Sequence, residues 1–183
     1  MKVKTCKLRA ADEFRAKGDP RSYINGIRIN KSHIQATNGH IAISMDSEIK
    51  TRMDIIVRFV GKIPKSAIDT KLTFSSSGNI AYHYGAMKEL LSVQVFHIED
   101  GRFPDFKRFT PNKSEFKLSG SFPMLNAEYM AVAFRAFGSK KNRFIGMKPV
   151  NYDGPEKSVI YSVEGIQDED YGNPIIVIMP MRQ

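Results

Sequence analysis

The chain has one cysteine, Cys6, and no tryptophan. A single thiol rules out an intrachain disulfide and suits a reducing compartment, and a cysteine-rich zinc site would have no ligands. The four histidines, His33, His40, His83 and His97, show no HExxH spacing, so neither a metal nor a cofactor is expected. No apolar run approaches the roughly 20 residues that span a bilayer. The opening MKVKTCKLRAADEF turns charged before a signal-peptide core could form, which points to the cytoplasm. Missing too are a GxxxxGK[ST] loop, a GxGxxG turn and a GxSxG elbow, so nucleotide hydrolysis, dinucleotide redox chemistry and α/β-hydrolase catalysis lack their signatures. Binding, rather than catalysis, is the leading class.

What is present begins with charge. Lys and Arg number 28 against 19 Asp and Glu, a formal +9 in 183 residues. Such a surface attracts phosphate backbones through counterion release, although an excess of this size is also what solubility alone would select. The acidic cluster Asp168, Glu169 and Asp170 reads as a solvated loop tip rather than an ion site.

β-Branched and aromatic runs between turn signals predict strands at 23–29, 33–37, 40–44, 54–60, 71–76 and 79–84, then at 90–98, 115–119, 143–150, 158–163 and 175–179. Ser77-Gly78 predicts a hairpin. One helix should start after Asn126, a good N-cap, and stop at Gly138, with Met130, Ala133, Phe134 and Phe137 as its core stripe. A weaker helix is expected over Lys7 to Lys17 and a single helical turn within 63–70. The fold class is α+β, with one helix-and-strands unit used about three times. The charged, proline-bearing stretch 100–113 is the connector, placing a boundary near 112 between domains 1–112 and 113–183.

Three stretches, in order, resemble the bacterial DNA polymerase III beta subunit, the sliding clamp. DPRSYINGIRI with HIQATNGHIAI (19–43) is similar to the start of the clamp's middle domain. EDGRFPDFKRFTP (99–111) is similar to the end of that domain, and IIVIMPMRQ (175–183) to the clamp's C-terminal ending. The resemblance implies domains built from two helix-and-strands units, with helices lining a ring around duplex DNA. Residues 1–112 then look like one such domain and 113–183 like the second half of the clamp's last domain. One and a half domains in place of three suggests a shortened, phage- or prophage-encoded form.

The same resemblance implies a cleft for short peptides of polymerases and other DNA-processing proteins. By position it uses Ile24, Thr37, Gly39, His40, Ala42, Pro111, Val177, Met179, Pro180 and Met181. Methionine side chains adapt to varied apolar ligands, which suits that role. Two departures stand inside it: the family's Arg is Ile41 here, and its Leu is Ala42. For DNA, the resemblance places Asn126 and Tyr129 in the last domain and Arg21 and Tyr23 in the first. Lys7, Arg9, Arg15 and Lys17 on the first helix, with Lys140, Lys141 and Arg143 after the second, are the basic candidates.

A non-catalytic, oligomeric clamp-like protein is the first reading. An odd number of units suggests that the third pairs with its equivalent in a second chain, giving three domains per dimer and a ring from two dimers. The alternative is a monomeric module that keeps the peptide cleft, has lost the ring, and competes with a host clamp for its partners.

Overall fold

The protein is described from a computed structural model covering residues 1–111, 113–138, 145–166 and 168–181. β1 (Lys2–Lys4) runs into helix α1 (Thr5–Phe14), followed by β2 (Ile27–Ile29), β3 (His33–Thr37) and β4 (Ile41–Asp46). The same order recurs with β5 (Ile55–Phe59), then β6 (Asp69–Thr73), β7 (Asn79–Tyr84) and β8 (Leu90–Ile98). It recurs again with β9 (Leu118–Ser119), α2 (Ala127–Phe137), β10 (Gly146–Asp153), β11 (Val159–Glu164) and β12 (Ile175–Ile178), with the short helix α3 (Asp168–Tyr171) before the last strand. A lead strand, a connector and a three-stranded meander thus appear three times.

All the strands join one sheet, ordered β1-β6-β7-β8-β5-β2-β3-β4-β12-β11-β10-β9. The first two units exchange lead strands: β1 lies antiparallel to β6 and β5 antiparallel to β2. β5 also runs beside β8. β9 does not cross over; it pairs in parallel with β10 of its own unit, and only through Leu118 and Ser119. The third unit is joined to the first by the antiparallel pair β4–β12.

Alternation along the central strands assigns their two faces. Ile41, Ile43 and Met45 of β4, with Ile176 and Ile178 of β12, pack in one core with Leu8 and Phe14 of α1 and Val132 and Phe137 of α2. The residues between them, Ala42 and Val177, belong to a second cluster with Phe103 and Phe106 from the connector. Burying a side chain such as Phe14 or Phe137 is worth roughly 1.5–3 kcal/mol. That packing, rather than capping, holds α1, whose N-cap Lys4 makes no side-chain cap bond. The amide of Thr5 is met instead by the carbonyl of Ile68 at 2.8 Å.

Several predicted elements differ in detail. The segment 63–70 has a plain turn at 65–66 and no helix. Arg9 Nη1 donates to the carbonyls of Pro64, Lys65 and Ala67 at 2.9–3.0 Å, occupying acceptors that a helix would use. β2 starts only at Ile27, because Ser22–Ile24 forms a 3-10 turn closed by Asn25 N donating to Ser22 O. α1 ends at Phe14, short of the predicted Lys17. α2 has the predicted bounds, but Phe134 is 62% exposed and Val132 takes its place in the core. Gly138 is needed there for space, since a Cβ would lie 2.3 Å from the Phe134 carbonyl oxygen. The stretch predicted as an acidic loop contains α3. No helix among the described residues is long and apolar enough to cross a membrane.

Candidate functional site

Thr37 ends β3 and Ile41 opens β4, so Asn38-Gly39-His40 forms the reversal between them. The buried Thr37 hydroxyl donates to Ile41 O at 2.7 Å and accepts from Gly39 N at 3.0 Å. Asn38 Oδ1 accepts from the amides of His40 and Ile41, each at 2.9 Å. Gly39 has φ +92°, a conformation side-chain-bearing residues rarely adopt. The TNGH sequence is therefore a self-wired turn. Ile24 lies buried beside it: the Ala16 amide donates to the carbonyls of both Ile24 and Thr37.

The C-terminal strand delivers the second half of the site. β12 sets Val177 opposite Ala42 and Ile178 opposite Ile41, and one step further Met179 N donates to His40 O at 2.9 Å. Met181 N donates to Met124 O at 2.9 Å. The backbone is pinned at both points while the side chains stay at the surface: Met179, Met181 and Met124 are 43%, 47% and 52% exposed. His40 stacks on Tyr129, ring centroids 5.7 Å apart.

The expected cleft residues thus separate into groups. Thr37, Gly39, His40, Ala42, Val177, Met179 and Pro180 come together at this end of the β4–β12 ladder, with Ile24 beneath Thr37 and Met181 leading on to Met124. Ala42 and Val177 are buried in one cluster with Phe103 and Phe106. Pro111 lies at the ladder's other end, in a groove of about 820 Å³ with Ser44, Ile175, Phe106 and Phe116. Met124 and the phenylalanines of the connector were not among the predicted site residues. The spacing of Phe103, Phe106 and Phe109 was the available signal, in a stretch whose charge made it read as a linker.

The expected DNA residues are more dispersed. Asn126 Oδ1 accepts from Glu128 N at 2.8 Å and caps α2. Tyr129 stacks on His40, and Tyr23 packs against the cluster of Ala42 and Val177. Lys7 is buried, its ammonium 2.8 Å from Asp46 O. Arg9 holds the three carbonyls named above, and Arg15 pairs with Asp12 and donates to Ala16 and Asn25 carbonyls. Arg21 forms a two-pronged pair with Asp19 at 2.9 and 3.0 Å, and that guanidinium, with the Arg21 amide, holds the Asp19 carboxyl down to about 2. Lys17 is exposed. Lys140, Lys141 and Arg143 lie outside the described residues. α1 and α2 each carry as many acidic as basic residues, so the chain's net positive charge lies outside these two helices. Among the described residues no group of three or more His, Cys, Asp or Glu side chains is placed to hold a metal ion.

Three units of lead strand, connector and three-stranded meander, with a helix in the first and third, make an α+β fold of the DNA-clamp kind. In particular, the fold matches bacterial DNA polymerase III beta subunits. It superposes on the Thermotoga maritima beta subunit with a TM-score of 0.57 at 12% identity, covering 100% of this chain and 65% of that one. The Bacillus subtilis DNA polymerase sliding clamp gives 0.60 at 11%, with 100% and 64% covered. A Bartonella birtlesii sliding clamp bound to griselimycin gives 0.58 at 16%, with 100% and 66% covered. At such identities the likeness is one of fold, and this chain spans about 65% of those chains' length. No protein-family model and no curated protein matches the sequence.

Proposed function

We propose that this protein is a non-catalytic, sliding-clamp-like factor that associates with duplex DNA without reading its sequence and docks short peptide motifs of replication or repair proteins. The observation that carries the reading is the β4–β12 ladder in a clamp fold. It unites the TNGH turn with Met179 and Met181, whose backbones are fixed and whose side chains are free at the surface beside Met124. Pliable thioether side chains on a rigid frame suit apolar anchors of an extended peptide. Residues 1–112 serve as one domain and 113–183 as half of another. β9 falls back on its own unit where β1 and β5 reach across to a neighbour, so a second copy of the third unit supplies its twin.

The test is fluorescence anisotropy with a labelled clamp-binding peptide. Removing one buried methionine side chain is worth about 1.5–3 kcal/mol, so Met181→Ala should weaken binding roughly tenfold or more. A chain that binds no such peptide would remove the cleft from this reading.

A further inference from the structure

In the second unit Val3, Leu72, Ala81 and Phe96 pack with Leu8 and Phe14 of α1 in the helix-side core. By alternation Lys2, Lys71, Tyr82, Val93 and Val95 face the other way. On that face of the first and third units, Ala42 and Val177 are buried with Phe103 and Phe106 of the connector. Over the second unit, Ile80, Tyr82, Tyr84, Val93 and Val95 belong to neither core cluster, and Val93 and Val95 are 55% and 51% exposed.

Register sets these positions in rows. Lys2 lies opposite Lys71, Lys71 opposite Tyr82, and Tyr82 opposite Val93, across four neighbouring strands. In the next rows Tyr84 stands between Asp69 and Leu90, and Ile80 between Thr73 and Val95. Tyr82 and Tyr84 are half-buried, about 7 Å apart along β7, and neither ring has an aromatic partner among the described residues. β7 and β8 carry no acidic residue. Asp69, the carboxylate among these outward positions, pairs with Lys2 at 3.1 Å. Lys4 only approaches Asp170, at 4.0 Å, and Lys71 is exposed and in no ion pair among the described residues.

Each nucleotide of a single strand offers the flat apolar face of a base and a phosphate, so single strands are held by aromatic side chains beside a cationic track. The rows supply that pairing, with lysines on β1 and β6, tyrosines on β7 and valines on β8. A duplex keeps its bases stacked inside and cannot use the rings, and an apolar protein partner would have to bury the unpaired Lys71. We infer that the open face of β6, β7 and β8 is a docking surface for single-stranded DNA, whose unstacked bases lie on Tyr82 and Tyr84 and whose phosphates meet Lys71. It goes beyond the clamp-like reading, which concerns duplex DNA and a peptide at another site; only the choice of DNA over RNA rests on that reading.

Anisotropy with a labelled oligothymidylate tests it. Tyr82→Ala should weaken binding about tenfold, as expected for one lost base stack, while Tyr82→Phe should keep it. Lys71→Ala should lower the salt slope by about 0.7. The unmodified protein, with seven tyrosines and no tryptophan, should lose tyrosine emission as the strand binds. Photo-cross-linking of a bromodeoxyuridine strand to it should label the tryptic peptide 72–88, which holds both tyrosines, so the test survives a variant that folds poorly. A protein that ignores oligothymidylate overturns the inference and leaves this face to a protein partner. Binding that Tyr82→Ala leaves unchanged, a cross-link only elsewhere, or tighter binding of oligouridylate also overturns it. Retained single-strand binding in a protein that ignores duplex DNA overturns the clamp-like reading alone.

Discussion

His83, fully buried, sits in a line of hydrogen bonds linking α1 to Val60, the residue after β5. Thr5 Oγ1 is 2.8 Å from Thr70 Oγ1, which is 2.8 Å from His83 Nδ1; His83 Nε2 is 2.9 Å from Gln94 Oε1, and Gln94 Nε2 donates to Val60 O. The line is complete when Nε2 carries the proton and Nδ1 accepts from Thr70. Burial pushes the imidazole below its ordinary value, partly offset by the bond to Gln94. A histidine in the unfolded chain titrates near about 6.5. The folded form favours neutral His83, so its contribution is intact above that pH and is lost as pH falls toward the lower folded value. Melting temperature should drop from pH 7.5 to 5.5, and His83→Leu should flatten that dependence. The same variant removes the Thr70 hydroxyl's bond to the ring, leaving it only Thr5, and takes the donor from the Gln94 carbonyl, and should cost about 1–3 kcal/mol at pH 7.5 in chemical denaturation.

At the scale of the element, α2 separates packing from capping. Phe137 is 1% exposed and meets Tyr171 edge-on, whereas Phe134 is 62% exposed. Phe137→Ala should cost about 3–5 kcal/mol, and Phe134→Ala should leave monomer stability within about 0.5 kcal/mol, both measured by urea unfolding. Asn126 tests the two roles open to it. Asn126→Ala should lose about 1 kcal/mol with the cap, while Asn126→Asp keeps the acceptor and should hold stability. Under the clamp-like reading the added negative charge in Asn126→Asp also weakens DNA binding, a change that a purely structural cap would not show in filter binding.

For the whole molecule, charge and shape act together. Helices α1 and α2 each balance their charges, and Lys17 is exposed after α1, where the clamp-like reading has it meet a phosphate backbone. Binding to duplex DNA should weaken steeply and linearly in log–log coordinates as salt rises. Replacing Lys17 by Ala should lower that slope by about 1, uniformly across DNA sequences. A salt-independent interaction would contradict a clamp-like mode of association.

Much of the fold was legible where periodicity is local. The strands at 33–37, 79–84 and 90–98 and the helix at 127–137 have the bounds their patterns predict, because alternation and an Asn cap with a Gly stop act over a few residues. β1 was not, being too short to show a period. The missing helical turn was not, because Arg9, more than 50 positions away, supplies its donors. The sequence by itself determined an α+β chain of three related units and the motifs at 37–42 and 175–181. Only the tertiary structure decided that those motifs share one ladder, that Pro111 lies at its far end, and that Lys7 is buried. The physical reason is that strand partnership and burial depend on which distant backbone edge and which distant side chains arrive, and no local pattern encodes that arrival.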